Sequence, residues 1–412
     1  MKKQEAYIVL IAVLAAVAKL YCAWTTTGTM DVICFREFGH YISDHDVIAI
    51  YRWTPMFNHT PLVGTAASLV YDLTAGRLEW FPFCFRVPEI VADFASVLAL
   101  LWLRRRVGRP SWWALGLFAA SPVALMISGF HGNVDPILAL MLLLTALACV
   151  AEEPALCGLF LGLACQVKII PLLVAPIFFF FWWHRGQSRK FFTIATATIL
   201  LGWAWPLITI PKVFLHNVLD YNSIWGTWGL SAILRLSGMP GMDSVKMGPA
   251  GFWISEVLKV VVIAGVFILA WRRRGGEPIS VFTTLSLAFL VFFVFAPGFC
   301  VQYLIWIAPL LIVQSERWYA VITAASSVAL FAFYTVVSGG IPWDKGFEAV
   351  KNVPRWAPWL LLPWLAMTAC LIVTRREWKL SRDRRPESDE GDRKAETGDR
   401  REIGHALKEA VT

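Results

Sequence analysis

The sequence predicts an all-α protein that crosses a membrane many times, as a polytopic transmembrane helical bundle of about 12 spans. Of its 412 residues, 58% are hydrophobic and only 16% are charged, and the mean hydropathy is +0.60. Soluble chains average about 45–50% apolar and about 25% charged residues. The charges are also concentrated at the C-terminus, where residues 375–412 hold 11 of the 37 Lys/Arg and 10 of the 29 Asp/Glu. This composition disfavours a soluble enzyme, a nucleic-acid-binding protein and a secreted disulfide scaffold.

Twelve apolar runs are candidate membrane spans, because a spanning helix needs roughly 20 predominantly apolar residues. The runs are 6–24, 87–103, 111–129, 135–151, 154–167, 170–183, 190–210, 252–271, 279–296, 301–313, 318–338 and 356–374. The two runs between 154 and 183 are short. Short or re-entrant helices there would preserve the same topology.

The basic residues predict which side of the membrane each loop faces. Clusters of Lys and Arg lie at 2–3, 104–106, 184–190, 272–274 and 375–376. The positive-inside rule places such clusters in the cytoplasm. With the N-terminus inside, they all fall on the cytoplasmic side of a plasma (inner) membrane. Three long segments then face the periplasm or exterior, namely 25–86, 211–251 and 339–355.

The chain is predicted to form two regions. Residues 1–374 form the membrane domain, and its first outer loop contains an apolar stretch, 57–75, that predicts an interfacial helix beginning near Pro61. Residues 375–412 are polar and alternate in charge, so we expect a disordered or loosely helical cytoplasmic tail.

Asp31 is the first candidate for chemistry, since it follows the first span by a few residues. A carboxylate near the lipid headgroups could take the proton of an acceptor hydroxyl as that oxygen attacks an anomeric carbon. The alternative is a solvated loop acid that pairs with Arg36.

A second candidate is the outer turn formed by residues 128–136. Gly132 permits a tight turn, and Pro136 suits the first turn of the following helix. Asp135 can serve as the N-cap of that helix or can have a functional role. His131 and Asn133 are not needed for the turn, and both could hydrogen-bond a phosphate or a sugar hydroxyl.

Lys168 is a third candidate, because a cation on the outer side departs from the positive-inside pattern. A phosphate group could compensate its charge, or its side chain could snorkel to the interface. Further polar groups follow in two aromatic segments of the predicted outer face. These groups are Tyr221, Asn222, Gln302 and Tyr303.

Taken in order, these motifs resemble the GT-C superfamily of polytopic glycosyltransferases. The resemblance covers most of residues 1–315 and is closest to the bacterial mannosyltransferase-like branch that uses polyprenyl-phosphate sugars. Its motifs are the first-loop acid, the stretch Pro55 to Pro61 that contains Asn58, the His-Gly-Asn-x-Asp turn, Lys-x-x-Pro, and Pro-Gly-x-x-x-Gln-Tyr-x-x-Trp. The family's turn is often His-Gly-Gln-x-Asp, so Asn133 is a conservative departure.

The resemblance implies an inverting glycosyltransferase with Asp31 as its catalytic residue. It also implies a polyprenyl-phosphate sugar donor, a glycan or lipid acceptor, and a site that faces away from the cytoplasm. The expected binding residues are Arg36, Glu37, Asn58, His131, Asn133, Asp135, Lys168, Tyr221, Asn222, Gln302 and Tyr303. No cofactor is expected. The first loop lacks a clean acidic pair after Asp31, so the sequence does not support a divalent metal.

Two other classes of protein remain open at this stage. A polytopic transporter or lipid-carrier flippase would also have many spans and intramembrane polar groups. A scaffold or lipid-binding subunit is the third alternative. The crowding of polar residues into outer loops favours the enzyme.

Overall fold

A computed structural model of the chain describes residues 3–219, 225–238, 248–347, 349 and 351–383, and these are predominantly helical. The α-helices are α1 (Lys3–Thr25), α2 (Met30–Asp44), α3 (Ala49–Trp53), α4 (Pro61–Leu73), α5 (Phe81–Val107), α6 (Trp112–Ala119), α7 (Pro122–Ala124), α8 (Asp135–Val150), α9 (Pro154–Val167), α10 (Pro171–His184), α11 (Ser188–Thr209), α12 (Pro211–Leu219), α13 (Gly229–Leu236), α14 (Pro249–Arg272), α15 (Ser280–Phe295), α16 (Ala308–Gln314), α17 (Glu316–Val337), α18 (Val353–Trp356) and α19 (Leu361–Asp383).

Shorter elements connect these helices. A π-helix spans Leu125–His131, and 3-10 helices span Val301–Ile305 and Ala357–Leu360. Two short strands, β1 (Gly28–Thr29) and β2 (Lys345–Gly346), pair in parallel. This pairing joins the segment after α17 to the residues that lead into α2.

The predicted all-α polytopic bundle is confirmed, and a helical segment lies at each of the twelve predicted runs. Six helical segments are long and apolar enough to cross a membrane: Lys3–Thr25, Trp112–His131, Ser188–Thr209, Pro249–Arg272, Glu316–Val337 and Val353–Arg376. The chain is therefore a multi-pass membrane protein. The count of twelve spans stays a prediction, because the other runs form shorter or more polar helices.

The first outer loop folds into helices that pack on one another. The predicted helix in residues 57–75 is α4, and it begins at Pro61 as expected. Helices α2 and α4 approach closely at Gly39, where a Cβ atom would lie 2.5 Å from the carbonyl oxygen of Ala67. The helical character of this loop is confirmed, and its position at the bilayer interface stays a prediction.

Arg86, fully buried near the start of α5, holds three segments together. Its Nη2 atom donates to the carbonyl oxygens of Ala23 (2.9 Å) and Thr26 (2.5 Å), which end α1. Its Nη1 atom donates to the carbonyl oxygens of Gly129 (2.9 Å) and Phe130 (3.1 Å) in the π-helix. The end of α1 and the end of the π-helix are thereby fixed against α5.

The basic clusters lie at the other ends of these helices. Arg105, near the C-terminal end of α5, pairs with Glu5 in the first turn of α1 at 3.0 Å. Arg185, after α10, donates to the carbonyl oxygen of Gly276, which follows α14. The basic residues at the C-terminal ends of α5, α10 and α14 therefore lie in loops other than those that follow α1 and the π-helix, whose ends Arg86 contacts.

The chain divides into two units, Met1–Thr368 and Ala369–Thr412. The first unit contains the helices up to the beginning of α19. In the second, α19 continues to Asp383, and the rest lies outside the described residues. The predicted boundary at residue 375 stays a prediction.

Candidate active site

Asp31 lies in the first turn of α2, at the wall of a cavity of about 430 Å³. A carboxylate is favourably placed at a helix N-terminus, because the free backbone N–H groups there carry partial positive charge. The side chain of Asp31 keeps 36% of its surface exposed. It is therefore accessible to a molecule that occupies the cavity.

Three side chains direct a nitrogen at the same oxygen of this carboxylate. Asn133 Nδ2 donates to Asp31 Oδ2 at 2.5 Å, and Gln302 Nε2 donates to it at 3.3 Å. His131 Nε2 lies 3.1 Å from Oδ2 and donates to it in the Nε2–H tautomer. Within the part of the chain that the structure describes, no hydrogen bond reaches the other oxygen, Oδ1. The geometry leaves one oxygen of Asp31 available for a substrate proton.

The turn that supplies two of these donors is built around Gly132. Its φ of +74° is left-handed, and a Cβ atom there would lie 2.3 Å from Val32 Cγ2. Glycine is therefore required on both conformational and steric grounds. Thr29 Oγ1 donates to the carbonyl oxygen of His131 at 2.8 Å and ties the turn to the start of α2. The predicted tight turn is confirmed, and Pro136 lies in the first turn of α8 as expected.

The surroundings of Asp31 keep its carboxylate ionised. Burial alone would raise its pKa, but the hydrogen bonds from His131 and Asn133 and the positive charge of Lys168 act against that effect. The result lowers the pKa of Asp31 from 3.8 to about 2. A carboxylate that accepts several hydrogen bonds is stabilised in its charged form.

Lys168 and Asp135 form a buried ion pair beside this carboxylate. Lys168 Nζ lies 2.8 Å from Oδ1 and 2.9 Å from Oδ2 of Asp135, and Trp306 Nε1 donates to the same Oδ1 at 2.6 Å. The ammonium also lies over the rings of Tyr303 and Trp306, at 5.2 and 5.8 Å from their centroids. Asp135 therefore supplies a compensating charge for Lys168 that the sequence did not predict.

Of the two alternatives for Asp135, the N-cap is not formed. Asp135 is itself the first residue of α8, Val134 takes the cap position, and no side chain caps the helix. The carboxylate of Asp135 has no exposed surface and is committed to Lys168 and Trp306. An ion pair with a cation outweighs a single cap hydrogen bond for a carboxylate at this depth.

The structure brings most of the predicted site residues to this cavity. Those that line it are Asp31, Asn58, Asn133, Lys168, Gln302 and Tyr303. His131 and Asp135 lie behind Asp31 and Lys168 and contact them directly. Tyr221 and Asn222 lie outside the described residues.

Arg36 and Glu37 are not among the residues that line the cavity. Arg36 Nη1 pairs with Glu37 at 2.6 Å, and Arg36 Nε donates to the carbonyl oxygen of Gly76 at 2.7 Å. The pairing of Asp31 with Arg36, the alternative to a functional Asp31, is therefore not formed.

Among the cavity residues that the sequence did not single out are Trp306 and His59. Trp306 was visible in the last motif but carried no assigned role, although its indole holds Asp135. His59 lines the cavity beside Phe35, and its Nδ1 atom is buried without a hydrogen-bond partner. Burial and the charge of Lys168 lower the pKa of His59 to about 3, so its imidazole is neutral. His59 could have been found from the sequence, because it lies within the Pro55 to Pro61 stretch that belongs to the family-like motifs.

Comparison with known families assigns the class of this site. Residues 73–297 match the model of glycosyltransferase family 87. The chain belongs to this family. The match confirms the resemblance to GT-C glycosyltransferases, and the mannosyltransferase-like branch stays a prediction. The matched range contains the His131 turn and Lys168, whereas Asp31 and Gln302 lie outside it. No curated protein matches the chain.

This family 87 protein is therefore a membrane glycosyltransferase, and the transporter and scaffold alternatives are set aside. The described residues contain no group of three or more His, Cys, Asp and Glu side chains placed to hold a metal ion. The chemistry derived below uses the side chains of the cavity.

The hydrogen bonds to Asp31 predict a shift in the pH dependence of activity. Because the pKa of Asp31 is about 2, this carboxylate stays ionised as the pH falls to about 4. Asn133→Ala removes one donor and should raise that pKa, so activity should begin to fall at a higher pH than in the wild type. The measurement is the pH profile of kcat/KM between pH 3.5 and 7 for the wild type and Asn133→Ala, with the same sugar donor and the same acceptor substrate. Identical acid limbs would show that Asp31 titration does not control activity.

The ion pair predicts a stability effect that a double substitution reverses. Lys168→Met leaves the fully buried Asp135 charge unpaired and should destabilise the fold by about 3–5 kcal/mol. Adding Asp135→Asn removes that charge and should recover most of the loss. Unfolding of the purified protein in detergent measures both effects, with the exposed Lys212→Met as the matched control. Equal loss in the single and double variants would contradict the pairing.

Proposed function

We propose that the protein is an inverting glycosyltransferase that moves a sugar from a polyprenyl-phosphate donor to a glycan or lipid acceptor. The observation that carries the proposal is the Asp31 carboxylate, with Oδ2 held by His131, Asn133 and Gln302 and its side chain open to the cavity. An inverting displacement needs one positioned base and a leaving group on opposite faces of the sugar. A phosphate monoester is already a good leaving group, so one carboxylate suffices.

Asp31 acts as the general base in this proposal. The acceptor hydroxyl oxygen attacks the anomeric carbon, and Asp31 Oδ1 takes the hydroxyl proton as the new C–O bond forms. The bond between the anomeric carbon and the phosphate oxygen breaks on the opposite face. Polyprenyl phosphate leaves with the bonding electron pair. His131 and Asn133 keep the carboxylate in a fixed orientation during the transfer.

Lys168 is the proposed ligand of the departing phosphate. Both carboxylate oxygens of Asp135 hold its ammonium in place, and Lys168 remains part of the cavity wall. A preorganised cation stabilises the negative charge that develops on the leaving oxygen without a cost of reorganisation. His131 was expected to share this role, but its Nε2 contact with Asp31 favours the orientation of the base.

The polar groups near Asp31 form the proposed sugar pocket. Gln302 and Tyr303 belong to the 3-10 helix Val301–Ile305, and Asn58 faces them from the first loop across the cavity. Amide and ring groups of this kind suit sugar hydroxyls and sugar faces. Tyr221 and Asn222 remain predicted members of this pocket. A mannose-like hexose is the proposed sugar, on the resemblance stated above.

The site is proposed to face the periplasm or exterior of a plasma (inner) membrane. Asp31, Asn133 and Lys168 lie between predicted spans and Gln302 lies at the start of one, and all four line one cavity. The basic clusters lie at the other ends of the helices, where Arg105 meets Glu5 and Arg185 meets Gly276. The positive-inside rule assigns those ends to the cytoplasm.

Replacement of Asp31 tests the catalytic role. Asp31→Asn keeps the shape of the side chain but cannot take a proton, so transfer should fall by a factor of about 10²–10⁴. Asp44→Asn is the matched control, because Asp44 lies on the same helix, is exposed and is outside the cavity. Release of polyprenyl phosphate and formation of a new glycoside, both followed by mass spectrometry, give the readout. Near-normal turnover in a folded Asp31→Asn protein would overturn the assignment.

Cysteine labelling tests the sidedness. A cysteine at exposed position 44 should react with a membrane-impermeant maleimide in intact cells, whereas cysteines at exposed positions 106 and 187 should react only after permeabilisation. The background should carry alanine at the native half-exposed positions, which are Cys22, Cys34, Cys84 and Cys300. Labelling of position 106 in intact cells would reverse the proposed orientation.

A further inference from the structure

The cavity that contains Asp31 extends to a polar face of α14, far from the residues discussed so far. Ser255 and Lys259 line the cavity from this helix. They lie four residues apart, so they occupy the same face, one turn after the other. Phe252 and Ile263, three residues before Ser255 and four after Lys259, lie on the same side of α14 and are apolar and exposed. Together with Glu256, these two polar side chains interrupt an apolar stretch of α14.

Lys259 lies within the predicted span 252–271, seven residues from its outer end, or about 10 Å along the helix. Ionisable side chains inside a membrane segment are costly and are functional-site candidates by default. Lys259 Nζ pairs with Glu256 at 2.7 Å, yet its side chain stays 32% exposed. The cation therefore keeps surface on which a further anion can bind.

Ser255 provides a second, independent observation. The residue lines the cavity with only 1% of its surface exposed, and its hydroxyl has no hydrogen-bond partner among the described residues. A buried hydroxyl without a partner costs free energy that a bound acceptor group would recover. A hydroxyl donor and an ammonium on one helical face match the oxygens of a phosphate.

The remaining lining on this side of the cavity is apolar. Val218 and Leu219 at the end of α12 and Phe292 on α15 flank the polar pair. The exposed Phe252 and Ile263 extend this apolar lining along the same side of α14. A phosphate bound at Ser255 and Lys259 could therefore keep an attached hydrocarbon chain against apolar side chains. A free phosphate would gain nothing from them.

We propose that Ser255 and Lys259 form a binding site for the phosphate of a lipid, through which the lipid-linked substrate enters the cavity from the bilayer. This inference rests on the proposed function for the identity of the substrate. It assigns to α14 a role separate from that of Lys168, which holds the phosphate at the place where the glycosidic bond breaks.

Binding of polyprenyl phosphate to the purified full-length protein in detergent tests the site. Lys259→Met keeps the stem and deletes the charge, and it should weaken binding about tenfold or more, because hydrogen bonds to charged groups are the stronger ones. Ser255→Ala should weaken binding by a smaller factor. Glu256→Gln is the matched variant, since it removes the competing carboxylate and should bind polyprenyl phosphate at least as tightly. Unchanged affinity in a folded Lys259→Met protein, or weaker binding in Glu256→Gln, would overturn the proposal.

Two further arms identify the ligand. The uncharged polyprenol should bind weakly and equally to the wild type and Lys259→Met, which shows that the phosphate carries the effect. Inorganic phosphate should not compete with polyprenyl phosphate. Competition at similar concentrations would instead mark a site for free anions and overturn the lipid assignment.

Transfer kinetics separate this inference from the proposed function. Lys259→Met should raise the KM for the lipid donor about tenfold while kcat is retained, whereas Asp31→Asn should lose kcat. An inactive Asp31→Asn protein together with an unchanged KM in Lys259→Met would leave the proposed function standing and refute the α14 site.

Discussion

The Arg86 guanidinium is the interaction on which the geometry of the site depends. Burying an ion costs on the order of several kcal/mol unless hydrogen bonds compensate it. Arg86 has no exposed surface, and its three nitrogens donate to backbone carbonyls that end α1, begin α5 and close the π-helix. The planar arginine fork can reach several carbonyls at once, which a lysine cannot. The β1 segment leads into the first turn of α2, which carries Asp31, and the Gly132 turn carries His131 and Asn133. Both follow directly from these anchored ends.

A second constraint is the balance of charge around Asp31, the proposed catalytic carboxylate. The Lys168 ammonium influences two carboxylates. It forms a direct ion pair with Asp135, and its charge also acts on Asp31. Asp135 takes the ion pair and the Trp306 indole, whereas Asp31 accepts from an imidazole and from side-chain amides. A low pKa makes Asp31 a weak base before the substrate binds. Such a base suits a reaction in which the phosphate leaves early and the attacking hydroxyl becomes acidic only as its bond to carbon forms.

The membrane fold was predictable because its signal is compositional. Apolar runs and flanking basic residues locate the helices without any long-range contact, and a helix lies at each predicted run. Asp31, Asn133 and Gln302 were also predictable, since polar groups in so apolar a chain have few structural reasons to be there. The span count did not follow, because helices such as α9 and α10 are too short for hydropathy to decide whether they cross.

The sequence did not reveal two features of the site. One is a contact between distant residues, and the other is the direction of the side chains on a helix in the first loop. The pairing of Asp135 with Lys168 joins residues 33 positions apart, so local N-cap logic could not find it. Arg36 and Glu37 were expected among the binding residues on the family resemblance, and they do not line the cavity. Residues 30–44 form a helix, and the residues that share the face of Asp31 are those three, four and seven positions later. Those residues are Cys34, Phe35 and Phe38, and all three line the cavity. If the loop had been predicted as a helix, Arg36 and Glu37 would have been placed on a different face from Asp31. The cavity wall beside Asp31 would then have been assigned to Cys34, Phe35 and Phe38.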